Sequence, residues 1–305
     1  MQDTCTESKT PCVLDPQNSI EIIRLDNQNR LMTEAVGGVF PETLDLTNVT
    51  RILDLGCGSG AWTMDAAYVL EAHCVGVDGR PSLIAFAQTQ ARMTGIDDLA
   101  TFEVMDITQP LAFADACFDL IHIRFLAGLL ETKQWPSVLQ ECFRMLRPEG
   151  LVLFTEAEWA TTSSPTAEKL ARSTTEAFWK AGLGFSVDGR DLGIVHALPD
   201  LLTRGGACDL HVEAHLLDFS SRLPQYFPIV HYLWTTYVLL QPFLTTMGYG
   251  SQEDLYTLCD QLASEFAEEN FQGGMILLQA WGHKGEKMET DQPHFLPPSF
   301  PALRG

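Results

Sequence analysis

Residues 52–60 read Ile52-Leu53-Asp54-Leu55-Gly56-Cys57-Gly58-Ser59-Gly60, and a stretch of helical character follows over 61–71. A short apolar run that ends in glycine at every second position describes a strand turning sharply into a helix. Glycine has no Cβ, so it takes positive φ without strain and lets a ligand come close to the backbone. The stretch is a candidate nucleotide-type turn at the carboxyl end of a strand.

Outward from it the pattern alternates. Strands are expected at 51–55, 73–78, 100–105, 118–123 and 151–155, with helices at 61–71, at 81–94 behind Pro81, and at 135–146 before Pro148 and Gly150. Strands alternating with helices of this length imply a parallel sheet covered on both faces. The expected class is α/β: a doubly wound, mostly parallel sheet with an N-terminal helical cover and a helical lid inserted between the last two strands. The cover spans 17–48, with Asn18 or Ser19 as start and Gly37-Gly38 as stop; Ile20, Ile23, Leu31 and Ala35 mark its apolar face. Helices are expected at 167–181 and 192–204, and late strands at 208–219 and 274–281. The α/β domain occupies 49–284 and its lid about 222–273. A polar leader, 1–16, and a proline-rich tail, 285–305, read as disorder.

Nineteen Lys and Arg against 40 Asp and Glu give a net charge of −21. That balance repels phosphate backbones, so nucleic acid is excluded as a partner, and a neutral, cationic or apolar small molecule fits better. The 8 cysteines are scattered without CxxC or Cys/His spacing, which argues against a metal site and against a disulfide framework. Residues 1–9 carry acids and no apolar stretch, so no secretory signal and a cytoplasmic location are expected. Residues 223–252 carry no Asp, Glu, Lys or Arg, but Pro224, Pro228 and Pro242 interrupt them, so no membrane span is expected.

The glycine turn alone also satisfies the dinucleotide pattern, Gly56-x-Gly58-x-x-Ala61 with Asp78 as the ribose acid. Two acids separate the readings. Asp54 suits a ligand with a free amino-acid end, and Asp106, after the third strand, suits an adenine amino group. S-adenosylmethionine presents an amino-acid end, a ribose diol and an adenine in that order. The segment resembles motif I of class I (Rossmann-like) S-adenosylmethionine-dependent methyltransferases. Val77-Asp78 resembles their ribose position, Met105-Asp106 their adenine position, Phe118-Asp119-Leu120-Ile121-His122 their fourth-strand motif, and Arg144-Met145-Leu146-Arg147-Pro148-Glu149-Gly150 their turn into strand five, with Glu149 replacing a glycine. The resemblance covers about 50–156. It implies methyl transfer, with Asp54, Gly56, Gly58, Gly60, Asp78, Gly79, Met105, Asp106, Ile107, His122 and Arg124 around S-adenosyl-L-methionine. The alternatives are an NAD(P)-dependent oxidoreductase and a non-catalytic S-adenosylmethionine-binding module.

On the acceptor side, His122 and Glu156 follow strands four and five, and His231 sits in the lid; these are the candidate proton-handling groups. Trp159, His231, Trp234 and Tyr237 are expected to line a pocket for a small, apolar or aromatic molecule with an O, N or C acceptor, a chemistry of secondary metabolism.

Overall fold

A computed structural model describes residues 13–14 and 19–285. Eight strands and eight α-helices follow one another as α1 (Ser19–Ala35), β1 (Arg51–Leu55), α2 (Ala61–Leu70), β2 (His73–Asp78), α3 (Pro81–Thr94), β3 (Ala100–Val104), β4 (Phe118–Arg124), α4 (Trp135–Met145), β5 (Leu146–Ala157), β6 (Thr161–Thr162), α5 (Pro165–Lys180), α6 (Ile194–Gly205), β7 (Ala207–Asp218), α7 (Tyr226–Thr246), α8 (Gln252–Phe266) and β8 (Gly273–Lys284).

One sheet runs in the order β3-β2-β1-β4-β5-β8-β6, and β7 pairs with the other edge of β8. The first five strands are parallel, whereas β8 runs antiparallel to β5, β6 and β7. The chain order reverses between β1 and β4, which opens a crevice at the carboxyl ends of those strands, where ligands of open α/β sheets bind. Ile52, Leu120, Leu151 and Trp281 pack on one face with Trp62, Ala66 and Ile84 of α2 and α3. Leu53, Ile121, Val152 and Phe154 pack on the other with residues of α4 and α6.

Local chemistry explains several boundaries. Pro81 sits in the first turn of α3, where its missing N–H removes no helical bond, and Gly95 ends the helix at φ 70°. Ser251 and Asp254 form a capping box at α8. Four expectations shift. Strand β5 begins at Leu146, and its Glu149 takes φ 60°, a conformation glycine adopts more cheaply, so the departure from glycine is a strained one. Strand β6 has no counterpart in the pattern, because two residues carry no periodicity. Helix α7 runs unbroken through Pro242. The helix expected from 192 begins at Ile194, after Gly193 at φ 76°.

The expected inward face of α1 is also corrected. Leu31 is buried and Ala35 packs on the core as expected, but Ile20 and Ile23 are 48% and 61% exposed, while Glu21, Arg24 and Asn29 are buried. The helix turns a polar face inward because it lies over a polar crevice. Of the expected leader, Val13 and Leu14 are described and pack against the core, contrary to the expected disorder; the rest of it, and the tail beyond Gly285, lie outside the described residues. Among the described residues no helix is long and apolar enough to cross a membrane.

Candidate active site

The turn after β1 is built on three glycines at positive φ: Gly56 at 79°, Gly58 at 57° and Gly60 at 80°. A Cβ on Gly56 would meet Leu126 at 2.8 Å, and one on Gly60 would meet Phe102 at 2.6 Å. Any side chain at either position would displace the loop or its neighbours. The N–H groups of Gly56 and Cys57 both donate to Val77 O, at 2.8 and 2.9 Å, tying the turn to β2. From the end of β2, Asp78 accepts from Gly58 N–H at 3.1 Å and from Arg80 N–H and Nε at 2.9 and 3.1 Å. One carboxylate thus joins the glycine turn to the start of α3.

Below the turn lies a buried polar cluster. Asp54 and His122 are register partners on β1 and β4, so their side chains share a face. Asp54 Oδ1 lies 2.8 Å from His122 Nδ1, and Oδ2 accepts from Thr63 Oγ1 at 2.6 Å. Burial pushes the imidazole below its usual pKa, an effect the adjoining Asp54 only partly opposes. His122 is therefore neutral at neutral pH, and because a carboxylate only accepts, Nδ1 carries the proton and Nε2 the lone pair. Trp62 stacks on the ring with centroids 3.4 Å apart and planes 11° apart.

Helix α1 roofs the site. Ser59 donates to Asp26 at 2.7 Å, Arg80 approaches Glu21 at 3.6 Å, and Arg124 donates to Asn29 and, at 3.0 Å, to Thr33 Oγ1. Gln28 donates to the Tyr232 hydroxyl of α7 at 2.9 Å, and Arg24 reaches the same hydroxyl at 3.3 Å. Burial lowers Arg124 to a pKa of about 10, which leaves it cationic at neutral pH. Beneath the roof a narrow cleft of about 50 Å³ remains, lined by Leu25, Gln28, Gly56, Gly58, His122 and Arg124 among others. Small-molecule sites usually need about 300–1,000 Å³.

Residues 52–150 match the family described as "Methyltransferase domain". The matched residues contain the glycine turn, Asp78, Asp106, β1 from Ile52 onward and strands β2 to β4. Over these residues the chain is similar to that family. Phosphoethanolamine N-methyltransferase 1 of Zea mays is 34% identical over 117 residues, covering 38% of this chain and 22% of that protein. Methyltransferase str2 of Strobilurus tenacellus is 28% identical over 153 residues, 50% of this chain and 51% of that one. The matches thus span about half or less of these curated relatives. The YcgJ protein of Bacillus subtilis shares the fold, with a TM-score of 0.50 at 14% identity over 78% of this chain and 93% of that one.

Within the matched residues, Asp54, Gly56, Gly58, His122 and Arg124 come together at the cleft, with Asp78 bonded to Gly58. Gly79 and Met105 adjoin one another, a Cβ on Gly79 falling 3.7 Å from Met105 O. Asp106 is exposed and accepts from the Thr108 N–H and hydroxyl at 2.9 and 2.7 Å, closing its own turn; Ile107 lies inside that turn.

The acceptor-side expectations fare differently. Glu156 is 1% exposed, and its Oε1 accepts from the N–H groups of Leu126 and Ala127 at 2.8 and 3.3 Å, so it clamps the loop after β4. Burial raises its pKa to about 8. Trp159 donates to the Tyr237 hydroxyl at 2.8 Å, and both pack near Phe178 and Phe243 in the core, not on an open wall. His231 is exposed and flanked by Phe227 and Trp234, while Trp234 donates to Cys259 O of α8 at 3.0 Å. The helical period put these aromatics together but could not say that the polar partner of α1 is Tyr232. Thr63, Trp62 and Arg80 were also missed, being ordinary helix residues whose roles follow only from what they touch.

Proposed function

We propose that this protein transfers the methyl group of S-adenosyl-L-methionine to a small molecule. The observation that carries the reading is the turn of Gly56, Gly58 and Gly60 at the strand-order reversal, bonded through Gly58 to Asp78. Asp78 is the ribose acid, Gly79, Met105, Asp106 and Ile107 border the adenine, and Asp54, His122 and Arg124 lie toward the amino-acid end. The glycine turn fits the group, because Gly56 and Gly58 line the cleft with backbone that carries no Cβ. The cofactor supplies an electrophilic methyl on a sulfonium, which an in-line nucleophile takes.

This chain's residues orient and desolvate. His122, neutral and held through Nδ1 by Asp54, presents Nε2 as the group that accepts a proton from an acceptor which must lose one. The α1 roof excludes water once closed, which strengthens every electrostatic contact beneath it. The matched relatives named above are methyltransferases, which supports the reaction type. The −21 charge supports a small acceptor over a nucleic acid. Calorimetry with S-adenosylhomocysteine tests the reading: wild type binds, and Asp78→Ala binds at least about tenfold more weakly, since hydrogen bonds to charged groups contribute about 1.5–3 kcal/mol. Binding of NAD in place of S-adenosylhomocysteine would end it.

A further inference from the structure

Among the described residues three buried side-chain nitrogen or oxygen atoms lack a hydrogen-bond partner, and two of them, Gln279 Oε1 and His215 Nε2, share one face of the sheet. Gln279 of β8 stands opposite Thr155 of β5 and Glu213 of β7, and Thr155 stands opposite Arg124 of β4. Paired residues point to the same face, so Arg124, Thr155, Gln279 and Glu213 form a polar row across four strands. His215 lies two residues beyond Glu213 on that face, diagonal to Gln279 and within reach of a long side chain.

The row begins at the cleft, where Arg124 is a lining residue. Strand spacing of about 4.8 Å places Gln279 roughly 10 Å from Arg124. Gln279 is 1% exposed, and its Nε2 meets Thr155 Oγ1 only at 3.5 Å. His215 Nε2 stands 3.9 Å from Glu213 Oε2, beyond hydrogen-bond range. Buried polar groups are normally paired, so two adjoining orphans in line with a cofactor cleft mark a recognition site. Helix α1 bonds Arg124 at the start of the row through Asn29 and Thr33 and also packs on β7 and α7.

We propose that Gln279 and His215 recognise a hydroxyl at the far end of an elongated, otherwise apolar methyl acceptor. The inference rests on the cofactor assignment above. A hydroxyl donates to Gln279 Oε1 and accepts from His215 Nε2–H, satisfying both orphans with one group. With the amide turned over, the hydroxyl accepts from its N–H instead, so the ligand class does not depend on amide orientation. The acceptor atom sits at the Arg124 end, under His122, and the hydroxyl anchors the opposite end.

The experiment compares 4,4′-dihydroxybiphenyl with 4-hydroxybiphenyl by calorimetry on the full chain loaded with S-adenosylhomocysteine. The dihydroxy compound is expected to bind about tenfold tighter, the effect of one well-made buried hydrogen bond. Gln279→Leu and His215→Phe should each erase most of that preference and leave S-adenosylhomocysteine affinity unchanged. His215 is half-buried at the sheet edge, so its variant keeps the test open if the Gln279 variant fails to fold. Equal affinity of the two biphenyls for wild type, or a preference that survives both substitutions, overturns the proposal. So does failure of either compound to bind a protein that still takes S-adenosylhomocysteine. Failure to bind S-adenosylhomocysteine overturns the cofactor assignment beneath it.

Discussion

Replacing Glu156 by glutamine isolates one buried proton. The carboxyl ends β5, is 1% exposed, and holds the backbone of Leu126 and Ala127. Burial, the largest influence, raises its pKa from 4.5 to about 8, with the two N–H donors opposing and Glu158 assisting. The folded state therefore binds this proton more tightly than the unfolded chain does. Its contribution to stability is complete below about pH 4.5, declines as pH rises through neutrality, and is gone above about pH 8. Each pH unit within that window costs about 1.4 kcal/mol, and the whole traverse costs a few kcal/mol. Glutamine keeps an oxygen to accept from Leu126 and Ala127 but has no proton to lose. Urea unfolding of wild type and Glu156→Gln, followed by circular dichroism from pH 5 to 9, should show two curves that diverge. The variant gains on wild type by about 1.4 kcal/mol per pH unit between about pH 5.5 and 7.5, and the gap levels off above pH 8. Every other titrating group cancels in the difference. A gap that stays constant with pH would show that Glu156 ionises in the fold as it does in water, and would refute the reasoning.

Asp54→Asn leaves His122 Nδ1 facing an amide and should lower stability by about 1–3 kcal/mol, the cost of a disturbed buried pair; a nitrogen-15 spectrum of the imidazole should lose its single tautomer, and an unchanged tautomer would separate the two residues. Gly60→Ala places a Cβ 2.6 Å from Phe102 at φ 80° and should cost about 1–3 kcal/mol in denaturant unfolding, partly restored by Phe102→Leu. Full stability of the single variant would contradict the packing of the turn. Glu21→Gln removes the anion from Arg24, which it holds at 2.6 and 2.9 Å, and from Arg80. Amides of α1 should then exchange faster than those of β1, and stopped-flow association of S-adenosylhomocysteine should accelerate several-fold; an unchanged rate would show that α1 does not gate the cleft.

Local signals carried much of the site. Glycine alternation announces a positive-φ turn because no other residue takes that backbone cheaply, and Asp78 follows at the next strand end. The alternation of strands and helices implied the parallel sheet, since each period records which side of an element meets the core. The same logic misread α1. Its apolar residues suggested an inward face, which holds at Leu31, yet at Ile20 and Ile23 the face is exposed and Glu21, Arg24 and Asn29 are buried instead, because the surface beneath that part is a polar crevice.

What the sequence by itself determined is the turn, its acids and the succession of strands and helices along the chain, because each depends on residues within a strand or a helix of one another. The tertiary structure alone decided which of those groups are free. Asp54 is committed to His122 and Thr63, Glu156 to the loop after β4, and Trp159 to Tyr237, while Gln279 and His215 are left with unmet polar atoms. Hydrogen-bond partners separated by tens of residues have no periodic trace, since they are chosen by strand register and helix docking and not by spacing along the chain.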